Sequence, residues 1–280
     1  MYQQKIGISI GNDYEIPTTE VVKLLKKIGF DAISPEWEEN VDLTEVVETA
    51  RACGLTVQSL HAPIGEVGAM WCADEAIADE DREIFRSLED CHRLNIPILV
   101  AHAWFGFGGP ITGADRSYFR KFDKLTEKAE RYGIQIAFEN TEGEEYLSSL
   151  MDHYRNNPTV GFCWDSGHEM CYNHCQDMLE KFGDRLLITH LNDNLGISRF
   201  DGEITWLDDL HLLPYDGIGD WDDNVCRLKK SRKIDILNFE LGIRSKPGRH
   251  ENDAYGQMGL EAYFTEAYKR ACKVAYRYVK

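Results

Sequence analysis

The sequence predicts an α/β fold that consists of one (β/α)8 barrel domain spanning residues 1–280. Three observations support this prediction: eight short β-type segments, a helical segment after each of them, and a chain close to the roughly 250 residues of a single barrel. Apolar strands that alternate with amphipathic helices are typical of a parallel sheet covered by helices. Eight such units without a leftover edge are the number that closes a barrel.

The strands are predicted at short apolar runs between turn residues. They are KIGISI at 5–10, DAISPEW at 31–37, TVQSLHA at 56–62, PILVAHA at 97–103, IQIAFEN at 134–140, VGFCWDS at 160–166, LLITHLND at 186–193 and ILNFELG at 236–242. Helical periodicity follows at 18–29, 43–54 and 117–133, each ending in the glycine that helix C-termini favour. The competing fold is an open doubly wound sheet, but SIGNDYEIP, after the first strand, carries no G-x-G-x-x-G pattern.

The composition is that of a globular protein, with 43% hydrophobic and 28% charged residues. No apolar run approaches the roughly 18 residues of a membrane span, and the first residues lack the pattern of a secretory signal. The eight cysteines include no C-x-x-C pair, so we expect reduced thiols and a cytoplasmic protein. The net charge of −17 would repel a polyanion, so a small carbohydrate or polyol is a better partner than a nucleic acid.

Six consecutive predicted strands end in a histidine or a carboxylate, and the turn after the sixth adds another histidine. The residues are His61, His102, Glu139, Asp165, His168, His190 and Glu240. In a barrel of this kind the active site lies at the C-terminal ends of the strands. Because side chains alternate along a strand, the residues two positions earlier should share the inward direction. They are Ser59, Val100, Ala137, Cys163, Ile188 and Asn238, mostly small or apolar groups suited to a barrel interior.

Acids and imidazoles that converge in one pocket without a cation would suffer like-charge repulsion and costly desolvation. A bound divalent metal relieves both. Glu139, Asp165, His190 and Glu240 supply three carboxylates and one imidazole, an oxygen-rich set that favours Mn²⁺ or Mg²⁺, with Co²⁺ as an alternative. Taken singly, each of these residues has a purely structural explanation, as a hydrogen-bonded core histidine or a carboxylate that anchors a loop.

Two later loops carry further candidates. Asp209 and His211 form a D-x-H pair in DDLHLLPYDGIGDWDD, and on spacing alone a solvated acidic loop explains the pair slightly better than a ligand site. Arg244, Lys246 and Arg249 follow the last strand, near which barrels often bind phosphate. They could hold an anionic group of a substrate, and an exposed charged loop is the equal alternative.

Apolar side chains from two loops, VGAMW at 67–71 and WFGFGGP at 104–110, are expected around the pocket. They are Met70, Trp71, Trp104, Phe105 and Phe107. Such side chains suit the apolar face of a sugar or cyclitol, and they could also stack on an exposed base.

The short motifs SLHAP, FEN, DSGH, THLND, DLHLLPYDGIGDW and FELG occur in this order at the strand ends. Together they resemble the xylose isomerase-like TIM-barrel superfamily, which includes sugar phosphate isomerases and epimerases, inosose dehydratases and metal-dependent apurinic endonucleases. The resemblance covers nearly the whole chain. In the epimerase branch it implies one metal on Glu139, Asp165, His190 and Glu240, with the two glutamates as acid and base on opposite faces of the substrate.

The endonuclease branch of the same superfamily holds three zinc ions with nine residues, and each of those positions has a match in this chain. The matching residues are His61, His102, Glu139, Asp165, His168, His190, Asp209, His211 and Glu240. The strongly acidic composition opposes a nucleic-acid substrate, so the resemblance alone leaves one metal and three metals as alternatives.

We therefore expect a divalent-metal-dependent isomerase or epimerase of a sugar, sugar phosphate or related polyol. The residues expected to contact its substrate are His61, His102, His168, Trp104 and Arg244. The alternatives are an inosose-dehydratase-like lyase, an endonuclease-type zinc phosphodiesterase and a sugar-binding barrel without catalysis. The C-terminal helix predicted at 260–280 either covers the barrel or packs against another subunit in a homo-oligomer.

Overall fold

The computed structural model describes residues 4–73, 78–107, 112–198 and 203–280. The strands within these ranges are β1 (Lys5–Ile10), β2 (Ala32–Pro35), β3 (Thr56–Val57), β4 (Leu60–His61), β5 (Ile98–His102), β6 (Gln135–Glu139), β7 (Val160–Asp165), β8 (Leu186–His190) and β9 (Ile236–Phe239). The third predicted strand is thus divided into two short pieces, β3 and β4, and the other seven lie where the sequence predicts them.

Helices lie between the strands and after the last one. They are α1 (Thr18–Ile28), α2 (Leu43–Ala52), α3 (Val67–Met70), α4 (Glu83–Arg93), α5 (Arg120–Tyr132), α6 (Glu144–His153), α7 (Ser166–Cys171), α8 (Met178–Phe182), α9 (Trp221–Lys230), α10 (Asp253–Gly256) and α11 (Leu260–Val279). Helix α5 ends at Gly133, whose positive φ of 68° is the left-handed conformation that lets a glycine terminate a helix. Helix α11 packs one face, including Tyr263, Phe264 and Ala271, against the barrel and its neighbouring helices, and so covers the barrel.

All strand pairs are parallel and form two arcs, with the order β3-β2-β1-β9 in one and β4-β5-β6-β7-β8 in the other. Single bridges join the arcs at both ends, one between Glu36 and His61 and the other between Leu191 and Phe239. At the first junction the amide of Trp37 donates to the carbonyl of His61 over 2.9 Å. The sheet therefore closes on itself, and the predicted (β/α)8 barrel is confirmed.

A small apolar layer of buried side chains, contributed by four adjacent strands, is separate from the main hydrophobic core. The layer consists of Ile98, Val100, Ala137, Cys163, Leu187 and Ile188. Four of these side chains were expected inside from strand alternation, and that expectation is confirmed. The polar residues at the ends of these four strands lie two positions beyond Val100, Ala137, Cys163 and Ile188, at the mouth.

A buried carboxylate, that of Asp193, helps to hold the long segment between β8 and α9 in place. One oxygen, Oδ1, accepts hydrogen bonds from the amides of Asn194 and Gly219, each over 2.9 Å. The other oxygen accepts from the Tyr215 amide and from Nε1 of Trp221, again over 2.9 Å. Asp193 thereby fixes the loop that carries the D-x-H pair.

All eight cysteines lie within the described residues and are free thiols, as expected from their spacing. In the described part of the chain, no helix combines the length and the apolar character that crossing a bilayer would require.

Replacement of Asp193 by alanine should destabilise the protein by about 3 kcal/mol or more, because four donors around a fully buried site would lose their acceptor. The matched control is Asp152→Ala, which removes a 73% exposed carboxylate paired with Arg155 and should change stability by less than about 0.5 kcal/mol. Urea-induced unfolding followed by circular dichroism measures both. An equal effect of the two substitutions would contradict the role of Asp193 as the attachment of this loop.

Candidate metal centre

The mouth of the barrel brings together the polar residues at the ends of successive strands. His61 ends β4, His102 ends β5, Glu139 ends β6, Asp165 ends β7, His190 ends β8, and Glu240 follows β9 directly. The parallel order of the strands explains this convergence, since all their C-terminal ends open at the same face.

The centre of this group is the carboxylate of Glu139, which has no exposed surface. Its Oε1 lies 3.0 Å from Nδ1 of His190 and 3.3 Å from Nδ1 of His168. Its Oε2 lies 3.1 Å from Nε2 of His61 and 3.5 Å from Nε2 of His102. Burial by itself would raise the pKa of Glu139, but the imidazoles outweigh burial and hold the pKa well below its usual range.

His190 links the two glutamates of the site, since its Nδ1 lies 3.0 Å from Glu139 and only 2.7 Å from Oε2 of Glu240. Burial would raise the pKa of Glu240, but the charge and hydrogen bond of His190 lower it to about 2. Both glutamates are therefore ionised near neutral pH and available as ligands or proton acceptors. They differ in access, because the Glu240 side chain is 12% exposed and Glu139 is enclosed.

Asp165 serves the fold and the site at the same time. Its Oδ1 accepts from the amide of His168 over 2.6 Å and so caps the N-terminus of α7. Its Oδ2 accepts from Nδ2 of Asn192 over 2.8 Å, and the side chain of Asn140 pairs with both the amide and the carbonyl of Asp165. Burial raises the pKa of Asp165 to about 6. Gly167 is required beside it, since a Cβ there would lie 1.9 Å from Oδ1 of Asn192.

One ligand atom from each of Glu139, Asp165, His190 and Glu240 lies within 4.8 Å of the other three. This group is the set of four residues that the sequence analysis selected. Three carboxylate oxygens and one imidazole nitrogen at this spacing fit a divalent cation, which would relieve the repulsion between the carboxylates. Two further groups within the same limit are His61–Glu139–His190 and Asp165–His168–His211.

Asp209 and His211, the D-x-H pair, face the mouth of the barrel. The interpretation of this segment as a solvated acidic loop is therefore wrong. Asp209 is only 13% exposed, and its Oδ1 lies 2.8 Å from Nε2 of His211 and 3.4 Å from Nε2 of His168. The backbone of His211 has a positive φ of 49°, an uncommon conformation for a histidine. Spacing alone could not reveal this burial, because it depends on the attachment of the loop at Asp193.

Of the histidines expected to contact a substrate, His61 and His102 keep 14% and 12% of their side chains exposed, while His168 keeps 4%. Burial lowers the pKa of His102 to about 3, so this imidazole is neutral. Trp104 is almost fully buried and stacks on Tyr146 at a centroid distance of 4.0 Å. Trp104 does not join the metal-ligand group but lines a separate cleft.

The expectation that Met70 and Trp71 line the pocket is wrong. Both side chains are fully buried in the core, and Nε1 of Trp71 donates to the carbonyl of Ala103. Phe107 lies with Trp104 in the cleft, and Phe105 packs edge-on against Phe107. Residues 108–110 of this predicted segment lie outside the described residues.

The three basic residues after the last strand do not form a common anion site. Arg249 pairs with Glu251 at 2.7 Å and with Asp208 at 3.4 Å. Lys246 lies 3.7 Å from Asp209 and above the ring of Trp206. Only Arg244 faces the cavity that contains Glu240.

That cavity has a volume of about 600 Å³ and reveals a residue that the sequence analysis missed, Glu36. Glu36 directly follows β2 and opens into the cavity together with Glu240 and His211. Glu36 is exposed to solvent at the cavity, but partial desolvation of its carboxyl by the surrounding residues, followed by the charge of Glu240, raises the pKa of this carboxyl. The signal was available in PEW at 35–37, a carboxylate at a strand end.

Comparison with known proteins gives one family and several structural neighbours. A family model described as "Xylose isomerase-like TIM barrel" matches residues 22–266. An uncharacterized protein, y4fM of Sinorhizobium fredii, is 36% identical over 129 residues, which is 44% of this chain and 38% of that protein. The chain thus matches well under half the length of this relative.

Two solved structures share the fold over nearly the whole chain. The structure of the IOLI protein with a bound zinc atom has a TM-score of 0.71 and 20% identity, covering 97% of this chain and 98% of that one. The structure of L-ribulose 3-epimerase has a TM-score of 0.68 and 14% identity, covering 99% and 97%.

Substitution of Asn192 by alanine should weaken the binding of a divalent metal by about 10- to 100-fold, because Asp165 would lose the donor that orients its Oδ2. Titration calorimetry of chelator-treated protein with Mn²⁺ and with Zn²⁺ measures the change. The exposed Asn156→Ala is the control and should bind as the wild type does. Equal affinities for all three proteins would contradict the assignment of Asp165 to a metal site.

Proposed function

The chain belongs to the xylose isomerase-like TIM-barrel family, and we propose that it is a divalent-metal-dependent isomerase or epimerase of a sugar, sugar phosphate or related polyol. The observation that supports this most directly is the group of four ligand atoms within 4.8 Å, because one of its members, Glu240, also lines a cavity of about 600 Å³. A cation and a substrate of the size of a sugar would therefore both contact the carboxylate of Glu240.

Glu139, Asp165, His190 and Glu240 would hold the metal. Their donor atoms favour Mn²⁺ or Mg²⁺, with Co²⁺ as the next choice. When bound, the metal would polarise the oxygens next to the carbon that loses its proton. A zinc atom in the structure of the IOLI protein supports a divalent cation in this fold and favours no single element for this chain.

The proton chemistry would rest on the two glutamates. One carboxylate removes a proton from the carbon next to the carbonyl, and the other glutamate, after it has taken up a proton from solvent, delivers that proton to the opposite face, which inverts that carbon. Glu240 has direct access to the cavity and an ionised carboxylate, so it suits the role of base. The same role for Glu139 requires that an imidazole be displaced from its enclosed carboxylate.

The remaining polar groups of the mouth would orient the substrate. His61 and His102 are partly exposed beside Glu139 and can bond to hydroxyls, with His102 as a neutral imidazole. His168 is more deeply buried and would reach a hydroxyl only at the base of the pocket. The likeness in fold to L-ribulose 3-epimerase is in keeping with a small carbohydrate substrate.

A zinc phosphodiesterase is the second candidate, because two histidines are arranged as metal ligands often are. His61 and His168 each donate from Nδ1 to a backbone carbonyl, over 2.7 Å to Ala62 and 3.0 Å to Asn140. In each case Nε2 then faces a carboxylate oxygen, Glu139 in one and Asp209 in the other. The net charge of −17 opposes this candidate, since a nucleic-acid substrate would be repelled.

Glu240→Gln and Glu139→Gln should each lower turnover of a ketose by at least about 100-fold, because an amide cannot accept the proton. The measurement is exchange of the carbon-bound proton in deuterated water, followed by NMR across a ketose panel with Mn²⁺. Metal content, measured in parallel, separates loss of the base from loss of the ligand. Undiminished exchange in both variants would exclude the two-glutamate mechanism.

Removal of the metal by a chelator should abolish turnover, and Mn²⁺ should restore it at about one equivalent per chain. Elemental analysis of the purified protein measures the stoichiometry. Three zinc ions per chain together with cleavage of abasic DNA would favour the phosphodiesterase and contradict the isomerase proposal.

A further inference from the structure

The cavity beside Glu240 is acidic on most of its polar wall. It lies between the segments that follow β1, β2 and β9, and its charged lining residues are Asp13, Glu15, Glu36, Glu240 and Arg244. One guanidinium therefore faces four carboxylates. His211, which is held by Asp209, is the other basic group on this wall.

Neither Glu36 nor Arg244 has a hydrogen-bond or ion-pair partner for its side chain among the described residues, although both side chains line the same cavity. Glu36 lies beside Gly11, and a Cβ added at Gly11 would be in ordinary van der Waals contact with its Oε2, at 3.4 Å. Glu240 repels Glu36, while His61 and His211 attract it. A carboxylate held against a like charge without a donor is suited to receive hydrogen bonds from a ligand.

The acidic lining of the cavity disfavours a ligand that carries two negative charges. A phosphate group near neutral pH carries about 1.5 to 2 negative charges and is normally held by several N–H donors or cations. Lys246 and Arg249, which could have helped Arg244, are paired with Asp209 and with Glu251. A phosphorylated substrate in this cavity would face four carboxylates and a single guanidinium, that of Arg244, that is not already paired within the described residues.

We propose, on the premise of the proposed function, that the substrate is an unphosphorylated polyhydroxyl compound and that Glu36 selects it. Glu36 accepts hydrogen bonds from two hydroxyl groups of this substrate, and Arg244 donates to another of its oxygens. Because Glu36 contacts only the part of the substrate that does not react, it determines specificity and leaves the proton-transfer step unaltered.

The test compares matched substrates that differ only in phosphate, D-fructose with D-fructose 6-phosphate and D-ribulose with D-ribulose 5-phosphate, on the Mn²⁺-loaded protein. The wild type should use the unphosphorylated member of a pair at least about tenfold better in kcat/KM. Glu36→Ala should raise KM for that member about tenfold with little change in kcat, because the lost bonds lie away from the reacting carbon. Glu36→Gln should reduce the preference over the phosphorylated member, since the repelling charge is removed.

The matched control is Glu39→Gln, an exposed glutamate in the same loop that pairs with Arg86 outside the cavity and should behave as the wild type. Thermal unfolding verifies that each variant is folded. A wild type that prefers the phosphorylated sugar, or a preference that Glu36→Gln leaves unchanged, would overturn the proposal.

Binding measured by calorimetry on the same pairs keeps this inference separate from the proposed function. If no sugar is turned over, the isomerase proposal fails, and tighter binding of the unphosphorylated member that is lost in Glu36→Ala would still support the role of Glu36. Equal binding of both members, or binding of neither, would overturn that role.

Discussion

The buried carboxylate of Glu139, surrounded by four imidazoles, is the interaction on which the rest of the mouth depends. A carboxylate without exposed surface is costly unless it is compensated, and the compensation comes from strand ends on either side of β6. The imidazoles are in turn oriented by other groups: His190 by Glu240, and His168 by the carbonyl of Asn140. The site is therefore one charge-balanced network in which each strand end depends on its neighbours.

Several residues that position the groups of this network also stabilise the fold. Asp165 caps α7 and also presents its carboxylate to the mouth, with Asn140 and Asn192 fixing its position. Asp193, three residues after His190 and next to Asn192, forms a buried group with its four donors and turns the following loop back over the barrel. Function and stability are coupled at this face, because the hydrogen bonds that close the loop also determine which side chains enter the pocket.

Much of this was accessible from the sequence, for physical reasons. Parallel strands with inward alternation place Val100 and Ile188 in the interior, and a polar residue two positions later must then emerge at the mouth. What escaped prediction depended on tertiary contacts: Asp209 is buried because Asp193 holds its loop, and Trp71 is in the core because it packs under α5. Glu36 follows the second strand, outside the run of six consecutive polar strand ends, so that pattern did not predict its place in the cavity.

The proposed chemistry requires that Glu139, Asp165, His190 and Glu240 hold one divalent cation beside the cavity. Anomalous X-ray diffraction from crystals grown with Mn²⁺, recorded on both sides of the manganese absorption edge, tests this requirement most directly. We expect one strong anomalous peak among the four ligand atoms, with Glu240 between the metal and the cavity. A peak confined to His168, Asp209 and His211, three peaks of comparable strength, or no peak at the four residues would contradict it.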